Sequence, residues 1–153
     1  MKELPNCGIY RTSQAIGDVP EQQLVYFHNH GDPGPGIYLP DHWKNNQAQF
    51  SERGMTLEDT VLAHTLEPIM EQGLYRVGRE FYCCSKNCVQ FQVNQLVQLG
   101  YDGNANPILF FPYWKKAEMC FPEKGTRIDE ENFQFLELMQ IPSETKDDAG
   151  MLH

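Results

Sequence analysis

Two groups of side chains in the sequence have the types and spacing of metal ligands. His28 and His30 are one residue apart in a segment that reads as a strand, so both imidazoles lie on one face, about 7 Å apart along the backbone. Cys84 and Cys88 flank a short turn, and cysteines two to four residues apart recur in zinc sites. One hypothesis is therefore a zinc site, structural or hydrolytic, made by His28, His30, Cys84 and Cys88.

The same residues also allow interpretations that involve no metal. Cysteine is often a small buried residue, and a pair of strand histidines can be solvated or hydrogen-bonded without any metal. A cysteine-dependent enzyme would need a nucleophile and a base, and the candidates are Cys83 or Cys84 with His28, His30 or His42. Nothing local in the sequence predicts an activated thiolate, so we expect no catalysis and, unless zinc binds, no cofactor.

Aromatic side chains offer a different kind of site. Trp43 and Trp114 each follow a proline that ends a predicted strand, Pro40 and Pro112. Such residues either pack in or around a core or form exposed platforms for a peptide. On the second interpretation, the candidate partner-binding residues are Trp43, Trp114, Tyr26 and His42.

The elements that must position these residues occur twice in the chain. Gln23 to Pro40 aligns without gaps on Gln95 to Pro112, a shift of 72, with six identities. Collinear matches flank it: residues 8–11 match 73–76 at a shift of 65, and residues 50–54 match 121–125 at a shift of 71. The second copy therefore carries about seven extra residues, between positions 77 and 94, where Cys83, Cys84 and Cys88 lie.

This pattern predicts an all-β, mainly antiparallel fold: an internal tandem duplication of two small barrel-like units, packed together, with little helix. The units are residues 1–70 and residues 71–141, the second with the cysteine-containing insertion, followed by a flexible tail at 142–153. A unit of this size buries only about 60% of its unfolded surface, so we expect the two to pack against each other.

Strand alternation indicates which faces are buried. Val25 and Phe27 share a face with apolar equivalents in the second copy, Val97 and Leu99, so this face is predicted to be the core. Further strands are expected at 74–84 and 89–100, and a fifth strand is expected at the end of each copy. The segment after Pro40 is expected to be a polar connection.

Composition limits the partners. The net charge is −9, the opposite of the balance that phosphate binding needs, so we expect no nucleic acid and favour a basic protein partner if charge decides the contact. No apolar run approaches the about 20 residues that span a bilayer, and no secretory signal is evident, so we expect no membrane association and a cytoplasmic location. The sequence as a whole favours a non-catalytic protein-binding or adaptor protein, with the zinc protein as the alternative.

Overall fold

The computed structural model describes residues 3–31 and 34–139. These residues form short strands and two 3₁₀ helices. The strands of the first half are β1 (Gly8–Thr12), β2 (Leu24–His28), β3 (Gly36–Tyr38), β4 (Pro40–Lys44), β5 (Gln47–Phe50), β6 (Met55–Thr56) and β7 (Leu66–Pro68). Those of the second half are β8 (Gly73–Val77), β9 (Phe81–Tyr82), β10 (Gln90–Phe91), β11 (Leu96–Tyr101), β12 (Pro107–Phe110), β13 (Tyr113–Lys115), β14 (Glu118–Cys120), β15 (Thr126–Arg127) and β16 (Leu136–Leu138).

Two five-stranded antiparallel sheets make up the molecule. The first sheet has the order β6-β3-β2-β1-β7, and the second sheet has the order β15-β12-β11-β8-β16. The strands of each sheet follow one another in the same way along the chain, and each half adds a separate two-stranded hairpin, β4-β5 or β13-β14. The predicted all-β, mainly antiparallel class is confirmed. Among the described residues, no helix is long and apolar enough to cross a membrane.

The buried face was predicted correctly in both halves. Val25 and Phe27 are fully buried in the first sheet, and Val97 and Leu99 are fully buried in the second. Leu24, on the other face of β2, is also fully buried, because it packs into the apolar cluster of the second sheet. Each half thus has its own apolar cluster, and Leu24 and Ala48 of the first half extend the cluster of the second.

Several details differ from the expected elements. The strands expected at 74–84 and 89–100 are each interrupted, because β9 and β10 pair with each other as a small separate hairpin around the cysteines. The polar segment after Pro40 forms strand β4 rather than a connection. The strand that ends each half is preceded by a 3₁₀ helix, Thr60–Thr65 in the first half and Glu130–Phe135 in the second.

Neither five-stranded sheet is closed. In the part of the chain that the structure describes, the outer strands of each sheet do not pair with one another, so both are open sheets rather than barrels. Their unpaired edges are short, two or three residues long, which limits edge-to-edge association. The expected tail at 142–153 lies outside the described residues.

Candidate functional site

The first hairpin, β4-β5, begins beside its own sheet, where Phe50 packs against Tyr26, and its tip docks on the second sheet. The Nε1–H of Trp43 donates to the carbonyl of Tyr101 at 2.7 Å. At the hairpin tip, the Asn46 amide donates to Gln98 Oε1 at 3.0 Å, and Gln98 in turn donates to the carbonyl of Asn45 at 2.7 Å. Gln98 is 3% exposed, so this contact is a dry polar interface between the halves.

Strand β11 accepts this hairpin because its outward face is nearly flat. Gly100 lies directly under the tip, and a Cβ at this position would come within 2.4 Å of the Asn46 carbonyl oxygen. Next to it, the side-chain amide of Gln72 both accepts from the Ala48 N–H at 2.9 Å and donates to the Ala48 carbonyl at 3.0 Å. Gln72 thus pairs with the hairpin backbone like one residue of an extra strand.

An ion pair joins the halves at another point of the contact. The Arg11 guanidinium in β1 donates to both carboxylate oxygens of Glu130, at 2.7 and 2.9 Å, and to the carbonyl of Ala105 at 3.3 Å. The hydrogen bonds to Glu130, with a smaller contribution from Glu67, raise the pKa of Arg11. The buried Tyr101 hydroxyl lies in the same region, and burial raises its pKa as well.

The second hairpin, β13-β14, has the same shape but is exposed. Its tip residues Lys116 and Ala117 have φ of 51° and 66°, close to the 50° and 67° of Asn45 and Asn46. Asparagine tolerates this left-handed conformation, whereas lysine and alanine adopt it at a cost of about 1 kcal/mol or more each. Trp114, which corresponds to Trp43, is 71% exposed.

The predicted partner-binding residues differ in their surroundings. The Trp43 indole N–H is hydrogen-bonded to Tyr101 while the residue is 42% exposed, and Trp114 is 71% exposed. Tyr26 lines a shallow groove of roughly 270 Å³ on the first sheet, together with His28 and Phe50. His42 is exposed on β4 and hydrogen-bonded to its neighbour Asp41.

The structure brings His28 and His30 to Cys7, not to the predicted Cys84 and Cys88. The ligand atoms of Cys7, His28 and His30 all lie within 4.8 Å of one another, and residues 3–31 and 34–139 contain no other such group of His, Cys, Asp or Glu. Cys7 directly precedes β1 and was missed in the sequence. The signal for it was the strand register, because the pairing of β1 with β2 ends at Gly8 opposite Phe27, next to Cys7 in the chain.

Cys83, Cys84 and Cys88 form a separate cluster in the loop between β9 and β10, and Cys120 lies on β14. The sulfurs of Cys83 and Cys84 are 3.6 Å apart, and Cys83 Sγ accepts from the Val89 N–H at 3.3 Å. Hydrogen bonds from the Lys86 backbone N–H and then from Cys83 lower the pKa of Cys84, and the charge of Cys84 raises the pKa of Cys88. His28 and His30, two of the expected bases, lie beside Cys7 in the first half of the chain.

No protein-family model matches the chain, and neither a curated protein nor a solved structure is significantly similar to it.

Proposed function

We propose that the protein is a non-catalytic protein-binding adaptor, and that the second hairpin is its contact with the partner. The observation that carries this proposal is the exposed Trp114 on a hairpin whose counterpart is a docking element within the same chain. The first hairpin shows what such a hairpin can bind. Its indole N–H donates to a carbonyl, and its tip lies on a flat strand face. The second hairpin presents the same geometry to solvent.

The tip of the second hairpin also indicates the chemistry of the partner. Lys115 and Lys116 are both exposed there, with Glu118 beside them, so this contact is locally positive although the whole chain carries a net charge of −9. A basic partner, favoured by the net charge, would have to meet another surface. We therefore propose a partner with an exposed strand face and neutral or acidic residues around it.

A second copy of this chain fits the hairpin poorly. On the first sheet, the position that corresponds to Gly100 is His28, whose Cβ would occupy the space that the tip carbonyl needs. On the hairpin, Ala117 corresponds to Asn46 and has no amide for the bonds that Asn46 makes. The proposed partner is therefore a different protein.

The origin of the two halves belongs to the same proposal. The equal strand orders, together with the three collinear sequence matches, support an internal tandem duplication in which only the first hairpin found an internal acceptor. The barrel-like curvature expected of each unit and the cytoplasmic location stay part of the proposal.

The test compares the full chain with Trp114→Ala in affinity capture with quantitative mass spectrometry, followed by calorimetry with the purified partner. Val61→Ser is the matched control, because Val61 is 66% exposed and lies in the 3₁₀ helix of the first half. We expect a partner that binds the wild type and the control but binds Trp114→Ala at least about tenfold more weakly, the loss expected when a central aromatic contact is removed. Equal binding by all three proteins, or self-association abolished by Trp114→Ala, would overturn the proposal.

A further inference from the structure

We propose that Cys7, His28 and His30 form a metal site on the first sheet that binds one zinc ion. One thiolate and two imidazoles are a donor set that zinc accepts readily, since it binds both sulfur and nitrogen. This inference is independent of the proposed adaptor function, which depends on the opposite half of the chain.

The separations between the donor atoms suit a tetrahedral ion. One ligand atom from each of Cys7, His28 and His30 lies within 4.8 Å of the ligand atoms of the other two. Zinc bonds of about 2.3 Å to sulfur and 2.0–2.1 Å to nitrogen at a tetrahedral angle put a sulfur and a nitrogen donor about 3.6 Å apart.

Backbone pairing holds the three residues together. β1 and β2 are antiparallel and their pairing ends with Gly8 opposite Phe27, so Cys7 lies just beyond this pair. His30 is two residues further on, and its ring centroid is 4.1 Å from that of His28. The donors come from two chain segments, since 21 positions separate Cys7 from His28.

Asn29 orients the cluster from the outside. Its backbone N–H donates to Cys7 Sγ at 3.3 Å, and the Cys7 thiol lies 3.3 Å from the Asn29 side-chain oxygen. Its side-chain oxygen lies 2.7 Å from His30 Nδ1, while its side-chain nitrogen donates to the carbonyl of Pro5 at 3.1 Å. When His30 Nδ1–H donates to Asn29, the Nε2 lone pair is free for a metal, as in many histidine sites with an outer hydrogen-bond partner.

The second sheet has no such set at the corresponding positions. The residues there are Gln72, Gly100 and Asp102, and the first two form the surface on which the first hairpin docks. On the first sheet, the same face carries a cysteine and two histidines instead. This face of the second sheet thus receives the tip of the first hairpin, whereas the same face of the first sheet carries the three metal donors.

Three protein ligands leave the fourth zinc position for water or an outside ligand. Binding removes the proton of the Cys7 thiol, which passes to solvent, and the thiolate electron pair forms the bond to zinc. His28 lies at once in the cluster and in the groove beside Tyr26, so a molecule in this groove is adjacent to the site.

The experiment titrates Zn²⁺ into chelator-treated full-length chain that carries no His tag, followed by calorimetry. We expect one equivalent of Zn²⁺, with affinity at least about tenfold lower in Cys7→Ser, His28→Ala and His30→Ala. Cys120→Ser is the control, since this cysteine lies on the second hairpin, and it should bind like the wild type. Co²⁺ as a second probe should give a thiolate-to-metal charge-transfer band that Cys7→Ser lacks.

Several outcomes would overturn the site. They are the absence of stoichiometric binding, binding that Cys7→Ser leaves unchanged, or binding that is lost in Cys84→Ser with Cys88→Ser. Should Cys7→Ser fail to fold, alkylation of wild-type Cys7 decides the matter. Zn²⁺ should slow it about tenfold or more if Cys7 is a ligand, and equal rates with and without Zn²⁺ would refute the proposal. Asn29→Ala should weaken binding by about 10- to 100-fold while leaving the stoichiometry unchanged.

Discussion

The docking of the first hairpin can be tested with one methyl group, by the substitution Gly100→Ala. In an exposed strand, alanine is more stable than glycine by about 0.5–1 kcal/mol, because glycine loses more chain entropy on folding. At position 100, however, the new Cβ would lie 2.4 Å from the Asn46 carbonyl oxygen, whereas ordinary contacts begin near 3.4 Å. The two effects have opposite signs, so the direction of the change in stability decides whether the hairpin is docked.

The magnitude follows from the hydrogen bonds at the tip. A retreat of the hairpin by about 1 Å would stretch the 2.7 Å bond from Gln98 to Asn45 and the 3.0 Å bond from Asn46 to Gln98 beyond hydrogen-bond length. Each lost bond costs about 0.5–1.5 kcal/mol. After the gain from alanine is subtracted, we expect Gly100→Ala to lower the free energy of unfolding by about 1–2 kcal/mol, and Tm by about 2–8 °C.

The assay is urea unfolding followed by the fluorescence of Trp43 in a Trp114→Phe background, where Trp43 is the sole tryptophan. Gly103→Ala is the matched control, because its Cβ would meet nothing closer than the Trp43 ring at 4.0 Å. It should change the stability by less than about 0.5 kcal/mol. If Gly100→Ala is as stable as the wild type and the emission of Trp43 is unchanged, the docking described here is wrong.

Ionisable side chains give three further tests. Burial raises the pKa of Tyr75 to about 12, so above pH 10 the Tyr75 hydroxyl loses its proton first in the unfolded chain. The free energy of unfolding therefore falls by about 1.4 kcal/mol per pH unit between about pH 10 and the folded-state pKa. Tyr75→Phe should flatten this slope in urea unfolding, and an unchanged slope would contradict the burial. Glu130→Gln should lower the free energy of unfolding by about 1 kcal/mol at low salt, because the bidentate pair with Arg11 is lost. The loss should be smaller in 1 M NaCl, which screens the pair, and equal losses at low and high salt would argue against an ion pair. Hydrogen bonds within its turn lower the pKa of Cys84, and the charge of Cys84 raises the pKa of Cys88. Iodoacetamide should therefore modify Cys84 before Cys88 near pH 8, as followed by peptide mass spectrometry. The reverse order would contradict the turn geometry.

The periodicity of apolar residues was enough to predict the β class and the buried face. Val25 and Phe27 alternate with polar or aromatic neighbours, and only one face of a strand can carry such a set into a core. The second occurrence of the pattern, at Val97 and Leu99, removed the ambiguity that a single strand leaves. The strand bounds between residues 74 and 100 were predicted less well, since the cysteine-containing insertion forms its own hairpin.

The candidate site shows the opposite case. His28 and His30 were found from their spacing, but Cys7 was missed and Cys84 and Cys88 were chosen instead, because cysteines close together in sequence look like a ligand pair. Which residues face each other across two strands depends on the register, and a register is a pairing of distant segments. It became visible only through the pairing of Gly8 with Phe27.

The amino-acid sequence by itself determined local matters: the β class, the buried faces of β2 and β11, and two tryptophans that each follow a proline. Tertiary structure alone decided that Trp43 is used within the chain while Trp114 is exposed, although the two segments are alike. The reason is physical: docking depends on the absence of a side chain at Gly100, more than fifty residues away from the hairpin that it admits. A local pattern describes what a hairpin can do, and only the packing of distant residues determines whether a surface receives it.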